Sequence, residues 1–241
     1  MLSIVKSMSQ QGLEGFLVDV QVDVSAGMPN FEVVGLPDAT VREAKERVKT
    51  AIKNSGFEFQ SRKILINLAP ADTRKEGSFF DLPIAVGILL DFQNIKLQNL
   101  SDTVFIGELS LDGKLNKING ILPMCIEAKK LGIKRVILPA DNAKEAAIVS
   151  GLEVIGANNL SDVVKLLNED IEIEPTRADI QALFHEKHRY LLDFAEVKGQ
   201  ENVKRALEVA AARWAQYFNG RGTWFTERQC LLDAFLLFCL I

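Results

Sequence analysis

The sequence predicts an α+β fold, in which helices pack on a mixed β-sheet, and two observations support this prediction. Near the N-terminus, apolar and polar residues alternate on both sides of a glycine-marked turn, which is typical of paired antiparallel strands. From residue 63 onward, short apolar runs of strand length alternate with helix-length segments, which favours strands joined by helices. Both kinds of connection together indicate a mixed sheet.

The composition excludes several classes of protein. Hydrophobic residues make up 48% and charged residues 25% of the 241 positions, so the chain can bury a core over one or two domains. The formal net charge of −4 argues against nucleic-acid binding through bulk positive charge, although local basic loops are compatible with it. Cys125, Cys230 and Cys239 show neither metal-ligand spacing nor a disulfide framework. With no signal-peptide layout and no membrane-length apolar stretch, we expect a cytoplasmic chain without membrane contact.

The N-terminal elements follow from alternation, turn residues and helical spacing. Residues 2–24 are expected to form two antiparallel strands with a turn at Gly12 and Gly15, and residues 31–34 a third strand. A helix is predicted from Thr40, because Thr40-Val-Arg-Glu43 has the form of a capping box, and Gly56 fits its stop. Its apolar stripe is predicted to be buried: Val41, Ala44, Val48, Ala51 and Ile52. Its charged face is interpreted as solvated rather than as a binding surface: Arg42, Glu43, Glu46, Arg47 and Lys49.

The centre of the chain is predicted to run from a buried strand through a polar loop into a buried helix. The strand covers residues 63–68, and the helix covers residues 82–90 with Pro83 in its first turn, where a missing N–H costs nothing. Between them lie three consecutive charges, Arg74, Lys75 and Glu76. A polar loop held between two core elements is a common place for function, although a solvated crossover loop explains the same pattern.

The rest of the first domain continues this alternation. Residues 103–111 are predicted as a strand, and Asp112-Gly113 as a two-residue hairpin turn into residues 114–118. Further elements are predicted at residues 122–131 (helix), 135–138 (strand), 143–149 (helix), 153–155 (strand) and 161–167 (helix). An acidic segment ending at Pro175 is typical of a linker. His185 and His188, in the helix-like residues 180–192, lack a third ligand and are interpreted as surface residues.

Four motifs are specific, at residues 33–43, 67–72, 75–85 and 107–109. Together they resemble the Mg-chelatase-like AAA+ ATPases, the ComM/YifB family, and the resemblance extends over residues 1–212. The resemblance implies a Lon-protease-like domain with the ribosomal-S5-domain-2 fold at residues 1–168. It further implies a helical linker at 169–192 and the start of an AAA+ module at 193–212. Intact family members are hexameric, ATP- and Mg²⁺-dependent DNA helicases that promote branch migration in natural transformation, so DNA and a homo-oligomer are the partners implied.

The resemblance also identifies residues that would flank a nucleotide, namely Val197, Gly199 and Gln200. The Gly-x-x-x-x-Gly-Lys-Ser/Thr loop that should follow is absent. Synonymous codons can be assigned to two windows within residues 213–241. When these codons are read in a frame shifted by one or two bases, they encode segments similar to those around the family's P-loop. We therefore expect an aberrant, frameshifted tail, with no ATP hydrolysis and no cofactor for this chain. Sequencing the gene downstream of codon 212 tests this expectation.

Resemblance to a Lon-like domain raises the question of Ser–Lys peptidase activity. Asp81 occupies the position expected to face the site, Leu122 stands about where the lysine would be, and Ser78 remains in the loop without a replacement lysine. We therefore expect no peptidase activity. Arg74 and Lys75 form a candidate DNA or phosphate loop, but pairing with Asp72, Glu76 or Asp81 is the favoured alternative. Two functions stay open: a truncated relative of a DNA-remodelling ATPase, and a non-catalytic DNA-binding or subunit-assembly module.

Overall fold

The protein was examined as a computed structural model that describes residues 2–12, 14–92, 95, 100–178, 199 and 201–213. The chain divides into two compact units, Met1–Ala178 and Asp179–Ile241. Within the first unit, the acidic segment that follows residue 168 returns to the sheet. Ile173 packs against the core, and the Thr176 N–H donates to the Val154 carbonyl at 2.8 Å.

A seven-stranded mixed sheet forms the centre of the first unit, with the strand order β3-β4-β2-β1-β5-β8-β9. Its strands are β1 (Leu2–Gln11), β2 (Glu14–Ser25), β3 (Asn30–Val34), β4 (Lys63–Ala69), β5 (Thr103–Phe105), β8 (Arg135–Pro139) and β9 (Glu153–Ala157). The β1–β2 and β2–β4 pairs are antiparallel, and the four other neighbouring pairs are parallel. A separate two-stranded hairpin joins β6 (Glu108–Leu109) to β7 (Leu115–Asn116). The predicted mixed sheet is confirmed.

Helices cover this sheet and bury their apolar faces against it. They are α1 (Ala39–Asn54), α2 (Asp81–Phe92), α3 (Ile121–Lys130), α4 (Ala140–Ala146) and α5 (Leu160–Leu167), with a short 3-10 turn at Leu100–Asp102. Every residue of α2 from Asp81 to Leu90 is buried, as the apolar run predicts. Gly87 allows close packing on the sheet, because a Cβ there would lie 2.6 Å from Val22 Cγ2. In the second unit, α6 covers Glu201–Arg213.

The predicted stripe of α1 is confirmed, since its five apolar residues are all buried, but the predicted cap is wrong. The N-cap is Asp38, whose carboxylate accepts a hydrogen bond from the Val41 N–H at 2.8 Å. Thr40 already lies inside the helix. Backbone contacts hold the preceding turn in place, since the Asp38 N–H donates to the Lys75 carbonyl at 3.0 Å.

The predicted strand at residues 103–111 is interrupted after Phe105: Ile106 still completes the ladder to β8, but Gly107 hydrogen-bonds outside the sheet. The Ile106 N–H donates to the Ile137 carbonyl at 3.0 Å, and the Gly107 N–H donates to the Phe79 carbonyl at 2.9 Å. The predicted two-residue turn is also wrong. The Ser110 N–H bonds the Lys114 carbonyl at 3.0 Å, so the hairpin loop contains residues 111–113. These long-range bonds leave no local pattern in the sequence.

Candidate functional site

The β4–α2 loop (residues 70–80) is held against the turn that precedes α1. The Lys75 N–H donates to the Leu36 carbonyl at 3.2 Å, and the Lys75 carbonyl accepts from Asp38. Gly35 lets the same turn pass close to β4, because its φ is +96° and a Cβ there would lie 2.3 Å from the Leu68 carbonyl oxygen. Two motifs that are far apart in the sequence therefore form one local structure.

Arg74 and Lys75, the candidate phosphate loop, have opposite environments. The Arg74 side chain is 70% exposed, and its Nε lies 3.2 Å from Glu76 Oε1. Lys75 is fully buried, and its Nζ donates to the Thr73 carbonyl at 2.7 Å. Burial lowers the pKa of Lys75, against a smaller opposing effect of Asp72. The structure therefore does not bring the two cations together on one surface.

A buried ion pair joins α1 to the start of α2. Arg47 Nε donates to Asp81 Oδ2 at 2.9 Å, and Arg47 Nη2 donates to Asp81 Oδ1 at 3.1 Å. The Leu109 N–H adds a third bond to this carboxylate at 3.2 Å. The Arg47 side chain is 24% exposed and that of Asp81 is not exposed at all. The prediction that Arg47 lies on a solvated face is therefore wrong.

Burial dominates the electrostatics of this carboxylate. It raises the pKa of Asp81 to about 6, although the Arg47 guanidinium and the Leu109 amide act in the opposite direction. The hydrogen bond to Asp81 raises the pKa of Arg47 in turn. Asp81 is also the first residue of α2, where the helix dipole favours a negative charge. The arrangement is a structural clamp between two helices and the β6 strand.

A second polar group ties the β4–α2 loop to the β6–β7 hairpin. The Ser78 hydroxyl donates to Glu108 Oε2, and Asn116 Nδ2 donates to Glu108 Oε1 at 3.0 Å. Among the described residues, no serine hydroxyl is hydrogen-bonded to a lysine amine, and Leu122 lies half-buried in the first turn of α3. Ser78 therefore bonds a carboxylate and not the lysine amine that a Ser–Lys pair requires.

Three residues of this region were missed as contacts by the sequence reasoning, namely Arg47, Glu108 and Asn116. Glu108 does lie in the short motif at residues 107–109, which carried part of the family resemblance. The motif was the one sequence signal that pointed to Glu108. The contacts themselves leave no local pattern, because the ion pair and the bond between the loop and the hairpin join residues that are distant in the sequence. Arg47 offered no signal, since charged residues surround it on α1.

Of the three residues predicted to flank a nucleotide, the structure describes one, Gly199. Gly199 has a φ of +70°, and a Cβ there would meet no atom within 4 Å. Val197 and Gln200 lie outside the described residues, as do His185, His188 and the predicted aberrant tail after Arg213. None of the described loops carries a P-loop sequence.

Two structural features are absent from the described residues. No group of three or more His, Cys, Asp or Glu side chains there is placed to hold a metal ion. No helix there is long and apolar enough to cross a membrane.

Comparison with known proteins defines the class to which this fold and site belong. The family model described as "Subunit ChlI of Mg-chelatase" matches residues 20–142, and the chain belongs to this family, in its ComM/YifB-like branch. It is 38% identical to the competence protein ComM of Haemophilus influenzae over 213 residues, 88% of this chain and 42% of that protein. It is 39% identical to the uncharacterized protein YifB of Escherichia coli over 214 residues, 88% of this chain and 41% of that protein.

A peptidase is among the more distant relatives of the chain. The chain is 26% identical to Lon protease 2 of Bacillus subtilis over 186 residues, 69% of this chain and 33% of that protein. The chain spans about two fifths of the length of the ComM and YifB relatives. The activities of those whole proteins therefore enter only as proposals for this chain.

Proposed function

We propose that this chain is a Lon-like module of a ComM-type protein that acts on DNA in natural transformation, and that the module binds rather than catalyses. The competence name of the Haemophilus influenzae relative supports the biological context. The observation that carries the proposal is the Arg47–Asp81 clamp. Asp81, the residue that the resemblance to Lon-like domains puts facing a peptidase site, is held in this clamp, which joins α1, α2 and β6.

The proposal excludes peptidase and ATPase activity for this chain. The Ser78 hydroxyl bonds a carboxylate and the Lys75 amine bonds a backbone carbonyl, so neither resembles an activated Ser–Lys pair. The sequence lacks the backbone cradle and the lysine with which a P-loop holds ATP. ATP and Mg²⁺ belong, in this proposal, to the motor of intact relatives.

The alternative within the proposal is docking on full-length subunits of a relative. The two alternatives differ in the partner that the chain binds. Binding to each partner can be measured with the same preparation of the purified chain. The purified chain is titrated into fluorescein-labelled single-stranded and duplex DNA and, separately, into a labelled full-length relative. We expect binding to DNA without ATP, and no ATP or casein hydrolysis with or without DNA.

The outcomes separate clearly. Hydrolysis of ATP that requires this chain, or tight Mg²⁺-dependent retention of ATP by it, contradicts the non-catalytic assignment. Failure to bind both DNA and the full-length relative contradicts the binding-module assignment. Binding to the relative alone favours assembly over DNA contact.

A further inference from the structure

A small basic cleft lies between α1 and the edge strand β3, away from the Arg47–Asp81 clamp. Its volume is about 230 Å³. Its lining includes three cations, one acid and two aromatic rings: Lys45, Lys49, Arg62, Glu46, Phe31 and Phe59. β3 forms one edge of the seven-stranded sheet, so the cleft is open to solvent along that edge.

The three cations of this α1–β3 cleft have no ion-pair partner among the described residues. Lys45 and Arg62 are exposed and Lys49 is half-buried. Some other surface cations of the first unit are paired, such as Lys134 with Asp102 at 2.8 Å. Three cations against one carboxylate give the cleft a local positive charge in a protein of net charge −4. A localised positive potential of this kind attracts anionic ligands.

The basic surface extends along α1 beyond the cleft. Lys45, Lys49 and Lys53 follow one another at a spacing of four residues, which places them on one side of the helix. The Lys53 amine lies 6.0 Å from the centroid of the Phe59 ring. Successive cations along a helix can neutralise successive phosphates of one strand, which a single small anion does not require.

The aromatic rings supply a second kind of contact. Phe31 and Phe59 are half-buried, so part of each side chain is accessible. Phe59 is fixed by an edge-to-face contact with Phe92, with ring centroids 5.7 Å apart. Aromatic rings beside a basic groove are the usual platform for unpaired bases, and stacking on them tolerates any sequence.

We propose that the α1–β3 cleft binds single-stranded nucleic acid, with one base against Phe31 and Phe59 and the flanking phosphates on Lys45, Lys49 and Arg62. The proposal rests on the proposed DNA-binding function and names its site. A volume near 230 Å³ is below that of pockets for drug-sized ligands but accommodates a single base. Duplex DNA keeps its bases stacked inside, so it would reach the cations and not the rings.

The test is fluorescence anisotropy of the full chain with a fluorescein-labelled oligothymidylate of about 15 nucleotides. The cleft variant carries Lys45→Gln, Lys49→Gln and Arg62→Gln. Its matched control carries Lys117→Gln, Lys144→Gln and Lys165→Gln, which are exposed and unpaired among the described residues. We expect the cleft variant to bind at least about tenfold more weakly and its salt slope to fall by about 2, while the control stays within about twofold of the parent.

Phe59→Leu separates stacking from charge. It keeps an apolar side chain against Phe92, and we expect it to weaken binding of the single strand about tenfold while leaving the weaker duplex binding unchanged. Far-UV circular dichroism checks that each variant is folded. Should a variant fail to fold, acetylation of the unmodified chain gives the same answer. Bound oligonucleotide should protect Lys45 and Lys49, and leave Lys117 and Lys144 reactive.

The failures are distinguishable. Equal loss of affinity in the cleft variant and the control, or equal protection of all lysines, overturns the cleft while DNA binding itself stands. Absence of any binding to single-stranded and duplex DNA overturns the cleft together with the DNA-binding part of the proposed function.

Discussion

Removal of Arg47 should destabilise the first unit strongly, because it leaves the Asp81 carboxylate buried without its partner. Asp81 has no exposed side-chain surface, and Arg47 forms two of its three hydrogen bonds. Breaking a buried pair on one side costs about 3–5 kcal/mol. Because the Arg47 side chain is 24% exposed, we expect Arg47→Met to lie at the lower end of this range.

A second substitution tests the cause of this loss. Asp81→Asn removes the stranded charge and keeps an acceptor for the Leu109 N–H. The double variant Arg47→Met, Asp81→Asn should therefore be more stable than Arg47→Met alone, with a coupling energy of about 2 kcal/mol. Arg135→Met is the matched control. Arg135 pairs with Glu153 at 2.9 Å, but both side chains are about 40% exposed, so the loss should stay below about 1 kcal/mol.

The pH dependence gives an independent signature of the same pair. Because folding raises the pKa of Asp81 from 3.8 to about 6, the folded state binds the proton more tightly than the unfolded state. The contribution of this group is therefore most favourable below pH 4 and declines by about 3 kcal/mol as pH rises through 4–6. Asp81→Asn should remove this decline.

Urea unfolding followed by far-UV circular dichroism is the appropriate assay. Both tryptophans and both tyrosines lie in the second unit, so intrinsic fluorescence would not report on the first: Tyr190, Trp214, Tyr217 and Trp224. A loss in Arg47→Met no larger than that in Arg135→Met would refute the reasoning. A measured Asp81 pKa below 3.8 would show that Arg47, and not burial, controls the carboxylate.

Two further substitutions test the β4–α2 loop by the same assay. Gly35→Ala should lower the free energy of unfolding by more than about 2 kcal/mol, since it adds a clash with the Leu68 carbonyl to a strained backbone. Gly56→Ala has open space around the new Cβ and should lower it by about 1 kcal/mol. Equal losses in the two variants would contradict the close approach of Gly35 to Leu68. Lys75→Met should be neutral or stabilising, because an apolar side chain of similar length replaces a buried ammonium. That ammonium donates to the Thr73 carbonyl, so a loss of stability above about 2 kcal/mol would show that this hydrogen bond holds the loop.

Periodic segments of the fold were predictable from the sequence, because their pattern is local. The buried stripe of α1 and the fully buried α2 follow directly from apolar spacing. The break after Phe105 and the cap at Asp38 were not predictable, since they accompany hydrogen bonds between distant residues, from Gly107 to Phe79 and from Asp38 to Lys75. Tertiary contacts decide such boundaries.

The polar loop between β4 and α2 was predictable from the sequence, but its geometry was not. The polar loop between two core elements does carry the contacts that join α1, α2 and the hairpin. A run of three charges nevertheless suggested three exposed side chains, whereas Lys75 is buried and Arg74 is not. Alternation of burial within a loop follows from its backbone path, which charge patterns do not encode. The cleft likewise joins α1 to residues 59–62, which no local pattern connects.

The central claim is that this chain is a binding module that works without nucleotide. Its most direct test is the dissociation constant for labelled single-stranded DNA, measured with and without saturating Mg²⁺-ATP. We predict the same constant, within about twofold, in both conditions, because no P-loop is present to couple ATP to the DNA site. DNA binding that appears only with ATP would contradict the claim.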